Sequence, residues 1–197
     1  MTHPDLAALV GSRICHDLIS PIGAIGNGME LLSLADGDTS AEMDLISDSV
    51  DNANARIRYF RIAYGAASND QFCGRGEILS ILSVTAKGGR FTYVWQPEGD
   101  QPRGQVRCAF LAMQCLETAL PVGGDIHISL DGDHWVLTGE GRRVMADPAL
   151  WSTLTDPCKD FRHSPAQVQF ALLPDVLAQL HRSLSVKIAE DRVTIRF

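Results

Sequence analysis

The stretch RICHDLISPIGAIGNGMELL, residues 13–32, is helical by period. Its apolar residues Ile14, Leu18, Ile22, Ile25, Met29 and Leu32 return every three or four positions, which at helical spacing puts them on one stripe. With His16 at the zero of the wheel, that stripe is centred near about 190°, while Ser20, Gly23, Asn27 and Glu30 all fall within about 40° of the imidazole. His16 is therefore expected opposite the core, in a polar track with no bulky side chain above it for two turns. Pro21 removes a hydrogen bond to the carbonyl of Asp17 and is expected to kink the helix one turn after His16.

Working outward, the first helix is expected from about Pro4 to Ala35, with Pro4 in the first turn and Gly37 as the stop. A second helix opens on a capping box, Thr39-Ser40-Ala41-Glu42. It continues with Met43, Ile46, Val50, Ala53, Ile57, Phe60 and Tyr64, alternating steps of three and four that make a heptad seam, and Gly65 ends it. The Asp36-Gly37-Asp38 turn joins the two as an antiparallel hairpin. A lone hairpin buries one seam only, so a homodimer that pairs two hairpins into a four-helix bundle is expected. The alternative is a monomer whose second domain covers the seam.

Residues 65–76, GAASNDQFCGRG, are small and polar and contain three glycines, a linker composition. It separates a helical domain, 1–68, from a mixed domain, 76–197. In the latter, helices are expected over Glu77–Ala86, Val106–Leu120, Pro148–Thr153 and Pro165–His181. Strands are expected over Phe91–Trp95, Asp125–Leu130, His134–Gly139, Ser185–Ala189 and Arg192–Phe197, with Asp131-Gly132-Asp133 as a hairpin turn. The fold class is α+β: a helical hairpin followed by a two-layer α/β sandwich with a mixed sheet.

The chain has 197 residues, a formal net charge of -7, 45% hydrophobic and 21% charged residues. An acidic chain with no basic run argues against nucleic acid and anionic membranes as partners. No apolar stretch is long enough to span a bilayer, and the N-terminus has no basic lead before an apolar core, so a cytoplasmic protein is expected. The five cysteines, Cys15, Cys73, Cys108, Cys115 and Cys158, form no CxxC pair and read as buried or idle thiols. His3, His127, His134, His163 and His181 have no partner set that suggests a metal or catalytic site.

An exposed imidazole beside a carboxylate suits nucleophilic attack on phosphorus by a ring nitrogen brought within reach of another protein. Attack needs the neutral ring, which an imidazole in water mostly is near pH 7. Asp17 can hold the proton on the other nitrogen, and Ser20, one turn on, can hydrogen-bond a phosphoryl oxygen or a water.

His16, Asp17 and Pro21, with Pro five positions after His, resemble the H-box of histidine kinases, set in the first helix of a dimerising hairpin. Ser20 stands where a Thr or Asn often supports phosphatase activity in kinases. FLAMQCLETALPVGGDIHISL, from Phe110, resembles the N-box helix and following strand of a kinase ATP-binding domain, and LTGEGR, from Leu137, resembles its glycine-rich box. The metal-binding Asn falls near Ala112 or Leu116 and the adenine-binding Asp at Leu137, so the ligands for Mg²⁺ and adenine are missing.

An intact H-box before a decayed kinase domain resembles the ChpT-type histidine phosphotransferases. The resemblance implies that His16 accepts a phosphoryl group from the receiver domain of a hybrid histidine kinase and passes it to the receivers of response regulators. It further implies that ATP takes no part, that no cofactor or metal is bound, and that the receiver brings the Mg²⁺. Partner contacts are expected at Arg13, Gly23 and Asn27 on the first helix. On the second helix, Arg56, Arg58 and Arg61 cluster at the level of His16, with Arg58 and Arg61 expected to meet the phosphoryl group or the receiver's acidic pocket. The alternatives are an ATP-dependent histidine kinase with a divergent nucleotide site, a non-enzymatic dimeric scaffold, or a receiver-directed phosphatase using Asp17 and Ser20.

Overall fold

The computed structural model describes residues 5–34, 39–68, 70–157, 159 and 161–197. The expected helix start at Pro4, the end at Ala35, the Asp36-Gly37-Asp38 turn, His3 and Cys158 lie outside the described residues.

Two long helices open the chain, α1 (Leu6–Leu34) and α2 (Ser40–Ala63). They come close because position 28 has no side chain: a Cβ on Gly28 would stand 2.6 Å from Ile46 Cγ1. Helix α1 runs on through Pro21, which is buried like Gly28. The face it buries is thus centred on Pro21 and Gly28, about 60° round the wheel from the centre of the apolar stripe. Ile14 and Leu18 pack against the core, but Ile22 and Met29, on the same stripe, are 58% and 55% exposed. The capping box does not form. Thr39 takes the N-cap position without a side-chain hydrogen bond, and Glu42, the residue meant to reach back, has Oε2 buried without a hydrogen-bond partner.

The segment read as a linker is partly structured. Phe72–Cys73 forms β1, and α3 (Arg75–Ala86) starts inside it. Strand β1 pairs antiparallel with β3 (Gln101–Pro102), Phe72 opposite Pro102 and Cys73 opposite Gln101. Two-residue strands are too short to leave a periodic trace, and tertiary pairing decides them. The main sheet contains β2 (Phe91–Trp95), β4 (Gly124–Asp131), β5 (His134–Glu140), β6 (Ser185–Ile188) and β7 (Arg192–Arg196), in the order β2-β4-β5-β7-β6. β2 runs parallel to β4, and the other neighbours are antiparallel. The short helix α5 (Pro148–Ser152) is capped by Asp147, and a 3-10 turn (Pro165–Gln167) leads into α6 (Val168–Gln179).

Helix α4 (Arg103–Ala119) organises the whole. Every residue from Cys108 to Leu116 is buried. A helix apolar all round has to be covered on all sides, and here the sheet, α2 and α6 all pack against it. The end of α2 belongs to the same core: Tyr59, Phe60, Ile62 and Ala63 join the residues of α4 and the sheet, and the Tyr59 hydroxyl donates to the Phe110 carbonyl at 3.0 Å. The expected heptad seam is therefore split. Its C-terminal end, Phe60 and Tyr64, lies against the α/β part of the chain, while Met43, Val50 and Ile57 remain 52%, 40% and 51% exposed.

Candidate functional site

His16 projects from the third turn of α1 with 84% of its side chain exposed. Its Nδ1 lies 3.0 Å from Asp17 Oδ1. The other oxygen of the carboxylate, Oδ2, accepts from Arg13 Nε at 2.7 Å, and Arg13 Nη1 donates to the Ala166 carbonyl at 3.1 Å. Asp17 is thus held from both sides, and a carboxylate at Nδ1 favours the proton there and leaves Nε2 with its lone pair facing solvent. Burial works against the charge of Arg13, but the Asp17 carboxylate beside it more than compensates and keeps the guanidinium above its ordinary value.

Around the imidazole the helix surface is low. Gly23 and Asn27 are exposed, and a Cβ on Gly23 would meet nothing within 4 Å. Ser20 is exposed and borders a groove of about 280 Å³ between α1 and α2, with Pro21, Asp48, Asn52 and Arg56 also on its walls. Arg56 is anchored there by Asn52 Oδ1, 2.8 Å from its Nε.

Arg58 and Arg61 are elsewhere. The Arg58 guanidinium donates to Ser80 Oγ at 3.2 Å and that of Arg61 to Glu77 Oε1 at 2.9 Å, both on α3. Arg58 stands about 200° round α2 from Arg56, and of the three arginines only Arg56 lines the groove with Ser20. Sequence reading placed Arg56 in this cluster without singling it out.

Behind Asp17 lies a small cavity of about 60 Å³ lined by Arg13, Arg56, Gln114 and Glu117 among others. The Tyr93 hydroxyl donates to Glu117 Oε1 at 2.8 Å and that of Tyr64 to Gln114 Oε1 at 2.6 Å. Burial holds both phenols well above their usual range, so they stay protonated donors. Burial also raises the Glu117 carboxyl, against the hydrogen bond from Tyr93 and the charge of Arg13. This polar layer was missed from sequence. Its one signal was Glu117 itself, the only acidic residue in α4.

The positions that resemble a nucleotide site are packed. Ala112, Leu116 and Leu137 are fully buried in the core. The two glycines of the glycine-rich stretch serve the approach of β5 to α4: a Cβ on Gly139 would lie 3.2 Å from Leu116 Cβ, and one on Gly141 would lie 3.0 Å from Leu120 Cδ2.

Residues 75–192 match the family model described as the histidine phosphotransferase C-terminal domain, well over half of the chain. The chain belongs to the histidine phosphotransferase family. The match covers the α/β part, and other relatives extend it to the hairpin. The protein phosphotransferase ChpT of Brucella abortus (strain 2308) is 36% identical over 152 residues, 73% of this chain and 71% of that protein. A solved structure described as a bacterial phosphotransferase superposes with a TM-score of 0.81 at 27% identity, covering 100% of this chain and 97% of that one. As a histidine phosphotransferase of the ChpT type, the chain has the α+β fold expected of it, and no described helix is long and apolar enough to cross a membrane.

Proposed function

We propose that His16 carries the phosphoryl group of a phosphorelay, taking it from a receiver-domain aspartate of a hybrid histidine kinase and giving it to the receivers of response regulators. The observation that carries this is the exposed imidazole with Nδ1 on Asp17 and Nε2 open to solvent. The Nε2 lone pair attacks phosphorus, the N–P bond forms as the P–O bond to the receiver's aspartate breaks, and the carboxylate leaves. The proton stays on Nδ1, so the ring becomes cationic and the Asp17 carboxylate stabilises it. Onward transfer runs the same steps in reverse order.

Such a transfer needs in-line approach and charge neutralisation rather than covalent machinery. The receiver supplies the divalent cation, and this chain supplies the nucleophile, the low surface of Gly23 and Asn27, and the groove beside Ser20. ATP has no role on this reading, which the buried, apolar Ala112, Leu116 and Leu137 support. The relay works in the cytoplasm as a homodimer. The exposed apolar residues Ile22 and Met29 of α1 and Met43, Val50 and Ile57 of α2 supply the second seam that two hairpins would bury in a four-helix bundle.

The test is transfer from a labelled, phosphorylated receiver to the wild-type chain and to His16→Ala, with labelled ATP as a parallel donor. Label on the wild type alone, from the receiver alone, is expected. Label from ATP makes the protein a kinase. No label from either donor across a panel of receivers leaves the scaffold.

A further inference from the structure

Arg13 has the wrong surroundings for a residue that waits for a partner. Its side chain is 20% exposed and that of Asp17 14%, against 84% for His16. The guanidinium is occupied twice, by Asp17 Oδ2 through Nε and by the Ala166 carbonyl through Nη1. Tyr64 and Glu117 form its electrostatic surroundings on the protein side.

Adjacent residues on a helix do not face one another. Asp17 can reach Nδ1 of His16 only with its carboxylate turned back along α1, and such a rotamer persists only when something holds it. Arg13, one turn earlier, is placed to do so, and Ala166 fixes Arg13 in turn. The consequence concerns the tautomer. A free imidazole in water favours the proton on Nε2, the nitrogen that has to be bare for attack on this face of the helix.

We propose that Arg13 is a positioning residue: it acts on His16 through Asp17, holding the carboxylate so that Nδ1 keeps the proton and Nε2 stays nucleophilic, and it ties that geometry to the turn before α6 through Ala166. This rests on the reading of His16 as phosphoryl acceptor. It also gives the α/β part a task at the site, since the loop that anchors Arg13 belongs to it. A lysine serves poorly in this place, because a point charge can neutralise Asp17 but lacks the planar fork that spans both acceptors.

The experiment uses the full chain with ¹⁵N-labelled histidine, as wild type, Arg13→Met and Arg13→Lys. Ring nitrogen shifts report the tautomer of His16, and phosphotransfer from a phosphorylated receiver gives kcat and KM. His127 and His134, in β4 and β5, report in the same spectrum whether the fold is kept. Wild type is expected mainly as the Nδ1–H form. Arg13→Met gains a clear Nε2–H population and loses about tenfold or more in kcat with KM for the receiver nearly unchanged, the pattern of a lost transition-state contribution. Arg13→Lys lies between the two.

An unchanged tautomer in Arg13→Met, with the His127 and His134 signals intact, overturns the proposal. So does a raised KM at constant kcat, which makes Arg13 a docking residue. If wild type accepts no phosphoryl group but the tautomer still follows Arg13, the relay is refuted and the Arg13–Asp17–His16 linkage stands.

Discussion

Gly139 of β5 lies against Leu116 of α4 so closely that a single added methyl group would stand 3.2 Å from the leucine Cβ and 3.2 Å from Leu120 Cδ1. A glycine that resembles part of a nucleotide loop is here a packing contact between sheet and helix. Gly139→Ala is therefore expected to destabilise the fold by about 1–3 kcal/mol, the usual cost of overpacking a filled core. Chemical denaturation measures this directly. An ATP analogue added to the wild type should leave the midpoint where it was, since a ligand that binds the native state would raise it.

The carboxylate beside His16 gives a second expectation. Asp17→Asn keeps the size of the side chain but removes the charge that favours the Nδ1 proton and stabilises the cationic ring. Transfer from a phosphorylated receiver should fall by about 10²-fold or more, within the roughly 10⁴-fold reached when a triad loses its aspartate. Rapid-quench kinetics on the labelled receiver tests it, and an unchanged rate would remove Asp17 from the mechanism.

Glu117 makes stability depend on pH in the direction opposite to most carboxylates. Burial raises its folded value above the ordinary 4.5. In the window above 4.5 the folded state binds more protons than the unfolded one, so the contribution of this group to stability declines as pH rises through it. Glu117→Gln removes that decline. Thermal unfolding of both proteins across the acid-to-neutral range should show the variant gaining on the wild type as pH increases. Parallel curves would show that Glu117 does not titrate within the fold.

For the proposed homodimer, the described cysteines provide a probe. Cys15 is exposed on α1, whereas Cys73, Cys108 and Cys115 are buried, and burial pushes the Cys108 thiol up to about 12. A maleimide should reach Cys15 first in the monomer and more slowly in the assembled dimer, with Cys108 and Cys115 reacting only on unfolding. Ile57→Glu puts a charge on the exposed seam of α2. It should shift the mass measured by light scattering to that of one chain and make Cys15 react faster.

The sequence made the regular elements legible because their periods are long enough to count. Phe91–Trp95 has the expected bounds, and β4, β5 and α4 differ by a few residues at their ends. What could not be read came from tertiary contacts. The β1–β3 ladder has two residues a side. The capping box fails because Glu42 turns an oxygen inward. At the site, the placing of Ser20, Gly23 and Asn27 on the face of His16 follows from helix geometry alone, whereas the turn of Asp17 toward His16 depends on Arg13. The partners that Arg58 and Arg61 take depend on where α3 packs, and the hold of Ala166 on Arg13 spans 153 positions, which no local pattern encodes.

The last two turns of α2 lie in the same core as α4 and the sheet. To swing the hairpin against the rest of the molecule, Tyr59, Phe60 and Ile62 would have to come out of that core, at roughly 1.5–3 kcal/mol for each large side chain. If the chain works as the proposed relay, the joint between hairpin and α/β part is then not the place where it is gated. On that reading the direction in which phosphate flows would be set by the partners, by which receivers are charged, which are empty and how many of each are present.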